Sequence, residues 1–317
     1  MIGPALWIWL AIQASTAQPP HVSPFEAQST VPSAPAATQE TQLAATTDAH
    51  DRLTVPVRLG SSRPFRFLVD TGADRTSVSR ELVEELGLKE RSKAILHSAT
   101  GAKLVRMAHL PEISMARRAV RNINAPMLDA ADIGADGILG MDSLRSHQVL
   151  FDFTKGTLSI LAANVATAIE PGAIVVRARR REGRLIITNA MAERDRVGVV
   201  LDTGASLSIG NAALRAKLAS RGALTPLGPI DLLSVTGEPL SGELAVVRSI
   251  DIGGVRLEGL SVVFADAYIF RQLKLDRKPA MLLGMNALRG FDQVSIDFSD
   301  KILSLVPPKK KKELDPA

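Results

Sequence analysis

One phrase occurs twice in this sequence of 317 residues and constrains it more than any other feature. An apolar run leads into Asp-Thr-Gly-Ala at residues 70–73, and the same arrangement returns at residues 202–205. A single Asp-Thr-Gly is a weak signal, because three common residues recur by chance and form ordinary turns at strand ends. Two copies indicate carboxylates that work as a pair. Two aspartates held close together share one proton and supply an acid and a base to one water molecule.

The repetition extends beyond these two motifs, because other segments recur in the same order in both halves. Ser-Ala-Thr-Gly at residues 98–101 matches Ser-Val-Thr-Gly at residues 234–237, and both are predicted hairpin tips. Ile-Leu-Gly at residues 138–140 matches Leu-Leu-Gly at residues 282–284, and a predicted strand pair closes each half. The chain is therefore an internal duplication with a period far longer than that of a solenoid. The second half is longer before its Leu-Leu-Gly, and we assign the extra residues to a loop at 268–279.

Several local elements follow from apolar alternation and from capping residues. We predict helices over residues 80–86, capped by Ser79, and over residues 212–218, capped by Asn211. Asp142 and Asn286 are interpreted as N-caps of short helices, without a direct role in a site. The predicted strands are residues 53–59, 65–69, 149–153, 157–161, 174–179, 185–188 and 197–201.

Composition excludes several classes of chemistry. The sequence contains no cysteine, which rules out disulfides, thiolate zinc sites and cysteine nucleophiles. The histidines show no metal-ligand spacing and there is no Gly-x-Ser-x-Gly elbow, so we predict no metal, no cofactor and no serine hydrolase. The formal net charge of +5 is partly local to the lysine run at residues 309–312. A nucleic-acid partner would require a basic face with interleaved aromatic residues, and the sequence shows none. The lysine run is better explained as a solvated tail than as an anion-binding surface.

The chain divides into five predicted segments. Residues 1–17 carry an apolar stretch and a small-x-small site, which is typical of a signal peptide, and a cleaved signal is favoured over an uncleaved anchor. We expect no membrane span beyond it, and an exported protein, either periplasmic or secreted. Residues 18–50 are rich in Pro, Ala, Thr, Ser and Gln and are expected to form a disordered linker, although a pro-segment is left open. Residues 51–165 and 172–308 form two lobes, and residues 309–317 form a basic tail.

The ordered set of repeated motifs resembles the retropepsin-like aspartic proteases over about residues 51–308, and the two-repeat bacterial members in particular. Asp-Thr-Gly-Ala-Asp at residues 70–74 is close to the motif of retroviral proteases. The resemblance implies an all-β fold with short helices, in which two β-barrel lobes are related by a pseudo-twofold axis. Both lobes lie in one chain, as in pepsin-like enzymes, so we expect a monomer with its lobes paired internally.

The same resemblance assigns roles to individual residues. Asp70 and Asp202 are the expected catalytic pair, which activates one water to hydrolyse a peptide bond of a polypeptide substrate. Thr71 and Thr203 are expected to link the two catalytic loops by hydrogen bonds. The glycines that follow allow the backbone to approach the carboxylates closely. The supporting glycines and the expected substrate contacts are Gly72 and Gly204, and Ala73, Asp74, Ala205, Ser206, Thr100, Gly101, Thr236 and Gly237.

Two of these assignments leave purely structural alternatives open. Residues 100–101 and 236–237 are expected to be tips of flaps that close over a peptide, but ordinary hairpin turns explain them too. Asp74 and Ser206 occupy equivalent positions of the two repeats. The resemblance implies that Asp74 makes the two ends of the cleft unequal, and the alternative is that it is only a surface charge. No tyrosine lies near either tip in the sequence. Met141 and Met285 replace the arginine of retroviral proteases, so we do not expect an arginine network between the lobes.

Three functional hypotheses remain at this point. The first is an aspartic endopeptidase of an exported compartment. The second is a non-catalytic peptide-binding module on the same scaffold, which a missing aspartate usually marks, whereas both aspartates are present here. The third is a larger assembly in which each lobe pairs with another molecule.

Overall fold

A computed structural model describes residues 6–7, 21–24, 42–48, 52–115, 118–162, 170–182 and 184–309. The signal peptide, the linker and the basic tail predicted above therefore lie largely outside the described residues. Within the described ranges, no helix is both long and apolar enough to cross a membrane.

The first half of the chain consists of short strands with three short helices. Its strands are β1 (Leu6–Trp7), β2 (His21–Pro24), β3 (Gln42–Ala44), β4 (Thr46–Thr47), β5 (Leu53–Leu59), β6 (Phe65–Val69), β7 (Ser77–Ser79), β8 (Glu90–His97), β9 (Ala102–Met115), β10 (Arg118–Leu128), β11 (Gly137–Leu139), β12 (His147–Asp152) and β13 (Thr157–Ala162). Its helices are α1 (Arg80–Glu85), α2 (Ala130–Ile133) and α3 (Met141–Leu144).

The second half repeats this order of elements. Its strands are β14 (Ile174–Arg177), β15 (Arg179–Arg181), β16 (Arg184–Ala192), β17 (Asp195–Leu201), β18 (Ser208–Gly210), β19 (Leu224–Leu233), β20 (Pro239–Ile252), β21 (Val255–Phe264), β22 (Ala280–Leu283), β23 (Gln293–Asp297) and β24 (Ile302–Val306). Its helices are α4 (Ala212–Ser220), α5 (Tyr268–Gln272) and α6 (Met285–Leu288).

Each half builds one nine-stranded sheet, and the two sheets share a topology. The first has the order β1-β8-β9-β10-β7-β11-β6-β5-β4. The second has the order β15-β16-β17-β22-β18-β21-β20-β19, with β2 added against β21. In both, the strand before the Asp-Thr-Gly pairs in parallel with the strand that carries the apolar-apolar-Gly segment, β6 with β11 and β17 with β22. The predicted all-β fold of two duplicated lobes with short helices is confirmed.

A third sheet of six strands joins the two halves. Its order is β14-β24-β23-β12-β13-β3, so a hairpin from each half meets its counterpart between β12 and β23. Gln148 lies opposite Asp297 at one end of this junction and Asp152 opposite Gln293 at the other. The sequence predicted the hairpin of β12 and β13 but not its pairing across the lobes. Backbone hydrogen bonds therefore connect the lobes directly.

The helix capping predicted by the sequence is mostly present. The hydroxyl of Ser79 accepts a hydrogen bond from the Leu82 backbone at the start of α1, at 3.1 Å. The side chain of Asn211 accepts one from Leu214 at the start of α4, at 2.9 Å. The prediction for Asp142 and Asn286 is wrong, because Gly140 and Gly284 are the N-caps of α3 and α6. Asp142 and Asn286 lie inside these helices and hold a neighbouring strand instead.

Three further predictions need correction. Disorder was expected through residue 50, but β3 pairs with β13 and β4 pairs with β5, because exposed strand edges accept these segments. The extra segment at residues 268–279 is not a plain loop, since it begins with α5. The strand predicted over residues 174–179 ends at Arg177, and β15 follows as a separate strand that pairs with β16. Backbone pairing orders the first and the third of these segments, and local composition does not indicate it.

Candidate active site

The two Asp-Thr-Gly motifs lie at equivalent ends of β6 and β17. The backbone N–H of Asp70 donates to the carbonyl of Leu139 at 3.1 Å, and that of Asp202 donates to the carbonyl of Leu283 at 3.1 Å. These bonds continue the parallel pairing of each strand by one residue. The same backbone pairing therefore places each aspartate directly after its strand.

The two carboxylates are buried and face each other's loop. Asp70 is 0% exposed and Asp202 1% exposed. A Cβ atom added to Gly72 would lie 2.6 Å from Oδ1 of Asp202, and one added to Gly204 would lie 2.4 Å from Oδ2 of Asp70. Each glycine is thus required by the aspartate of the opposite lobe, because any side chain would overlap it. The predicted proximity of the two motifs is present in the structure.

A reciprocal set of hydrogen bonds connects the two loops. The backbone N–H of Thr71 donates to Oγ1 of Thr203 at 3.0 Å, and the backbone N–H of Thr203 donates to Oγ1 of Thr71 at 3.1 Å. The hydroxyl of Thr71 donates to the Leu201 carbonyl at 3.0 Å, and that of Thr203 donates to the Val69 carbonyl at 2.7 Å. Each threonine is therefore fixed by the strand of the other lobe, and the aspartates beside them are held in register.

Burial raises the pKa of both carboxyl groups and so disfavours their ionisation. Burial, followed by the charge of Asp202, holds the pKa of Asp70 well above its usual value. Burial raises the pKa of Asp202 to about 7, against the opposing attraction of the buried guanidinium of Arg184. Two such groups release their protons in steps that belong to the pair. The pair therefore keeps one proton over a range of pH in which an exposed aspartate is fully ionised.

The inner and outer oxygens of the pair have different surroundings. Oδ1 of Asp70 accepts a hydrogen bond from the Gly72 backbone at 2.6 Å, and Oδ1 of Asp202 accepts one from Gly204 at 3.0 Å. Neither Oδ2 receives a hydrogen bond from a backbone or side-chain donor of the described residues. A buried acceptor without a donor is costly. The outer oxygens are thus the atoms available for a shared proton or a reacting group.

A second layer of hydrogen bonds supports each loop from below. Oδ1 of Asp142 accepts from the backbone N–H and the hydroxyl of Thr76, at 2.8 and 2.7 Å. Oδ1 of Asn286 makes the equivalent bonds with Ser208, at 2.8 and 2.9 Å. A Cβ on Gly140 would lie 2.4 Å from the backbone of Arg75, so that glycine is required by the loop packed on it. The apolar-apolar-Gly segments and the helices after them therefore support the catalytic loops.

Asp74 is not a surface charge. Its carboxylate forms an ion pair with the guanidinium of Arg184, which is 1% exposed and belongs to the opposite lobe. Burial raises the pKa of Asp74, while Arg184 acts in the opposite direction. The expectation that no arginine network joins the lobes is wrong, because Arg184 supplies it from β16 instead of from the helix position. At the equivalent place in the other lobe, the buried hydroxyl of Ser206 has no hydrogen-bond partner among the described residues.

Arg52 is the first-half equivalent of Arg184, and sequence reasoning missed both. Each precedes its aspartate by 18 positions, so alignment of the two halves would have found them. Arg52 is 0% exposed, pairs with Asp48 at 2.7 Å and donates to the Ile133 carbonyl at 2.7 Å. Ser206, the equivalent of Asp74, has no charge, and the ion-pair partner of Arg52 is Asp48, which lies before the first lobe.

The two predicted flap tips contact each other through side-chain hydrogen bonds. Ser98 and Thr236 are joined through their hydroxyls at 3.2 Å. The carboxylate of Glu238 accepts from the hydroxyls of Thr100 at 3.2 Å and Thr236 at 2.5 Å. The ammonium of Lys103 donates to the Thr236 carbonyl at 2.7 Å and pairs with Glu238 at 2.9 Å. We call these five residues the flap latch, since they connect one hairpin tip to the other.

Each hairpin tip also packs on the opposite lobe. Ala99 of the first tip belongs to an apolar cluster of the C-terminal lobe, and Val235 of the second tip belongs to one of the N-terminal lobe. The Tyr268 backbone donates to the Ala99 carbonyl at 2.8 Å, and its ring stacks on His97 at 5.7 Å between centroids. A tyrosine therefore lies beside the first tip, although none is near it in the sequence. Burial lowers the pKa of His97.

No group of three or more acidic or histidine side chains within the described ranges is arranged to hold a metal ion. The chemistry of the site rests on the two carboxylates and on the donors around them. Of the predicted site residues, both aspartates and the loop residues Thr71, Gly72, Thr203 and Gly204 come together at one place. Thr100 and Thr236 meet in the flap latch. Ala73 and Ala205 are buried in the loops, and each accepts a backbone hydrogen bond from the helix beneath.

Comparison with known families agrees with this geometry. The family model described as aspartyl protease matches residues 55–143 and again residues 188–287. The two matches fall on the two duplicated halves, and together they cover more than half of the chain. The chain therefore belongs to the retropepsin-like aspartyl protease family, in a form with two repeats. No curated protein matches the sequence.

Proposed function

We propose that this protein is an aspartic endopeptidase that hydrolyses a polypeptide held between its two lobes. The observation that carries this proposal is the pair of buried carboxylates, each of which lies against the glycine of the opposite lobe. The raised pKa of both aspartates supports a shared proton. The Thr71 and Thr203 hydrogen bonds support a fixed geometry before substrate arrives.

The proposed mechanism uses one protonated and one ionised carboxyl group. A water oxygen bonds to the scissile carbonyl carbon while its proton passes to the ionised carboxylate, and the protonated partner gives its proton to the carbonyl oxygen. The resulting tetrahedral intermediate then loses its C–N bond. The carboxyl group that took the water proton gives it to the departing nitrogen, and a hydroxyl of the intermediate returns its proton to the other carboxylate. The products are a new carboxylic acid and a new amine. The hydrogen bonds from Gly72 and Gly204 stabilise the inner oxygens throughout.

We further propose that the chain acts as a monomer, because one chain contains both halves of the dyad. We also propose an exported location, which rests on the predicted signal peptide. The mass in solution tests the monomer: an active species of one chain supports it, and activity confined to a larger assembly contradicts it. The signal peptide and the periplasmic or secreted location remain predictions of the sequence.

Cleavage of a mixed peptide library tests the proposed activity. The assay compares the wild type with Asp70→Asn, with and without pepstatin, a transition-state mimic of aspartic proteases. Asp266→Asn is the matched control, since that aspartate is exposed and pairs only with Arg271 among the described residues. We expect cleavage by the wild type and the control and none by Asp70→Asn. Cleavage by Asp70→Asn, or silence of the folded wild type, would contradict the proposal, and silence with peptide binding would favour the non-catalytic module.

A further inference from the structure

A cavity beside the first catalytic loop carries an inference about the substrate. It has a volume of about 350 Å³ and is lined by Asp74, Arg75, Met141, Asp142, Arg145 and Arg180. We call it the arginine cavity. We propose that the arginine cavity binds a carboxylate of the substrate, most directly the side chain of an aspartate or glutamate a few residues from the scissile bond. This proposal rests on the proposed peptidase function and names the substrate preference of the same cleft.

The arginine cavity lies between the first catalytic loop and the helix α3 that is hydrogen-bonded to it. Asp74 and Arg75 follow Asp70 in the same loop, and the backbone of Met141 donates to the Ala73 carbonyl at 2.7 Å. The Asp142 backbone donates to the Asp74 carbonyl at 3.1 Å. An extended peptide advances about 3.3 Å per residue. Because Asp74 follows Asp70 closely in this loop, the proposal places at the cavity a side chain a few positions from the scissile bond.

The cavity has a surplus of available positive charge. Both of its carboxylates are already engaged, Asp74 by the buried Arg184 and Asp142 by the backbone and hydroxyl of Thr76. Arg75 attracts Asp74 through space. Among the described residues, however, neither Arg75 nor Arg145 forms an ion pair within 4 Å. Two guanidinium groups are thus available to a ligand.

The third arginine adds charge in a fixed position. Arg180 donates one hydrogen bond to the Phe298 carbonyl at 2.7 Å, which satisfies one nitrogen, and it forms no ion pair within 4 Å among the described residues. It lies in β15, an edge strand of exposed arginines next to the cavity. A guanidinium presents two parallel N–H donors that match the two oxygens of a carboxylate. The chemistry of the lining therefore favours a carboxylate over an amide or an apolar group.

The duplication supplies an internal comparison. In the second lobe, Ser206 replaces Asp74 and the buried Leu207 replaces Arg75. Asn286 replaces Asp142, and Arg289, the equivalent of Arg145, lies over the Phe153 ring at 5.6 Å. The equivalent of Arg180 is Asp48, which is paired with Arg52. The surplus of unpaired guanidinium groups is therefore confined to one end of the pseudo-symmetric cleft, so the substrate carboxylate is expected on one side of the scissile bond only.

Matched peptides test the preference in the full chain. Each set places Asp or Glu at one position and compares it with Asn or Gln at that position. A further set carries a free or an amidated C-terminus, which distinguishes a side-chain carboxylate from a terminal one. The variants are Arg145→Gln, the double variant Arg75→Gln with Arg145→Gln, and Arg289→Gln as the matched control in the second lobe.

We expect the wild type to cleave the acidic member of a pair with a kcat/KM about tenfold higher, at positions on one side of the scissile bond, because charge-assisted hydrogen bonds are strong. The preference should fall toward unity in the double variant, fall part of the way in Arg145→Gln, and stay intact in Arg289→Gln. It should also weaken as salt rises, because the guanidiniums of Arg145 and Arg180 are exposed. Cleavage with equal kcat/KM for acidic and amide peptides would overturn the cavity proposal while the peptidase function stands.

A binding measurement separates failure of the cavity from failure of the function. Labelled acidic and amide peptides are titrated against the Asp202→Asn chain, in which no cleavage is expected, and the dissociation constants are compared. Tighter binding of the acidic peptide that is lost when Arg75→Gln and Arg145→Gln are both added supports the cavity even if no peptide is cleaved by the wild type. Equal binding of both peptides would overturn it.

Discussion

Arg184 of the C-terminal lobe and Asp74 of the N-terminal lobe form a buried ion pair next to the dyad. The arginine is 1% exposed, and its charge lowers the pKa of both catalytic aspartates against the larger effect of burial. This single side chain therefore connects the pairing of the lobes with the ionisation of the site.

Loss of Asp74 should destabilise the fold. In Asp74→Asn the guanidinium of Arg184 stays buried without its ion-pair partner, and we expect a decrease in the free energy of unfolding of about 3 kcal/mol. Denaturant unfolding measures this. Asp251→Asn is the control, since Asp251 pairs with Arg256 at the surface and should change the same quantity by less than about 1 kcal/mol. Equal effects of the two substitutions would contradict a buried, lobe-connecting role for Asp74.

The glycines of the dyad should tolerate no side chain. In Gly72→Ala the new Cβ would lie 2.6 Å from Oδ1 of Asp202, so the carboxylates must separate and cleavage should fall below about 1% of the wild type. Gly198→Ala is the matched control on β17, where the nearest atom would be at an ordinary contact of 3.6 Å. Measured rates of peptide cleavage decide the matter, and a Gly72→Ala enzyme as active as Gly198→Ala would show that the loops are not in close contact.

Much of this site was predictable because the chain contains its own alignment. Asp70, Thr71 and Gly72 repeat as Asp202, Thr203 and Gly204. The repeat indicated a working pair, and the family resemblance implied that both sets meet at an axis between the lobes. The pair Arg52 and Arg184 was available from the same comparison of the halves. It went unnoticed because a lone arginine at the start of a strand has no local pattern.

Other features had no local signal at all. The pairing of β12 with β23 is a contact between distant hairpins, and the pairing of β3 with β13 orders a segment whose composition indicates disorder. Tyr268 reaches the first flap tip only because α5 lies on the opposite lobe. These depend on long-range packing, which overrides composition and local propensity.

The stability of the protein should depend on pH through the dyad. Burial raises the pKa of Asp202 to about 7, whereas an aspartate of an unfolded chain has a pKa of about 3.9. Between these values the folded chain keeps a proton that the unfolded chain releases. The free energy of unfolding therefore falls as pH rises from about 4 to about 7.

Asp202→Asn should weaken this dependence, while Asp70, whose pKa burial also raises, still contributes to it. We expect the variant to be more stable than the wild type at neutral pH by about 2–4 kcal/mol, and the two proteins to converge below about pH 4. Urea unfolding at both pH values measures the difference, with Asp266→Asn as an exposed control. A variant less stable than the wild type at neutral pH would show that the folded chain favours the ionised carboxylate.

The flap latch should control opening of the hairpin tips. Glu238→Ala removes the acceptor shared by Thr100 and Thr236 and the partner of Lys103, which together should contribute about 1 kcal/mol to closure. Amide hydrogen exchange at residues 100–101 and 236–237 should then be about fivefold faster. Glu243→Ala is the control, because Glu243 lies on β20, which begins directly after Glu238, and pairs with Arg215. Unchanged exchange at both tips would show that the latch does not hold them closed.

The pH dependence of kcat/KM tests the central claim, the shared proton, most directly. It is measured from about pH 3 to about pH 9 for the wild type, for Asp202→Asn and for Arg184→Met. We predict a bell-shaped profile for the wild type, because loss of the first proton of the pair forms the active state and loss of the second abolishes it. The alkaline limb should move upward in Arg184→Met, because a cation that favours ionisation is lost, and Asp202→Asn should show no cleavage at any pH. Cleavage by Asp202→Asn, or a wild-type profile that stays flat through the alkaline range, would contradict a dyad that works with one shared proton.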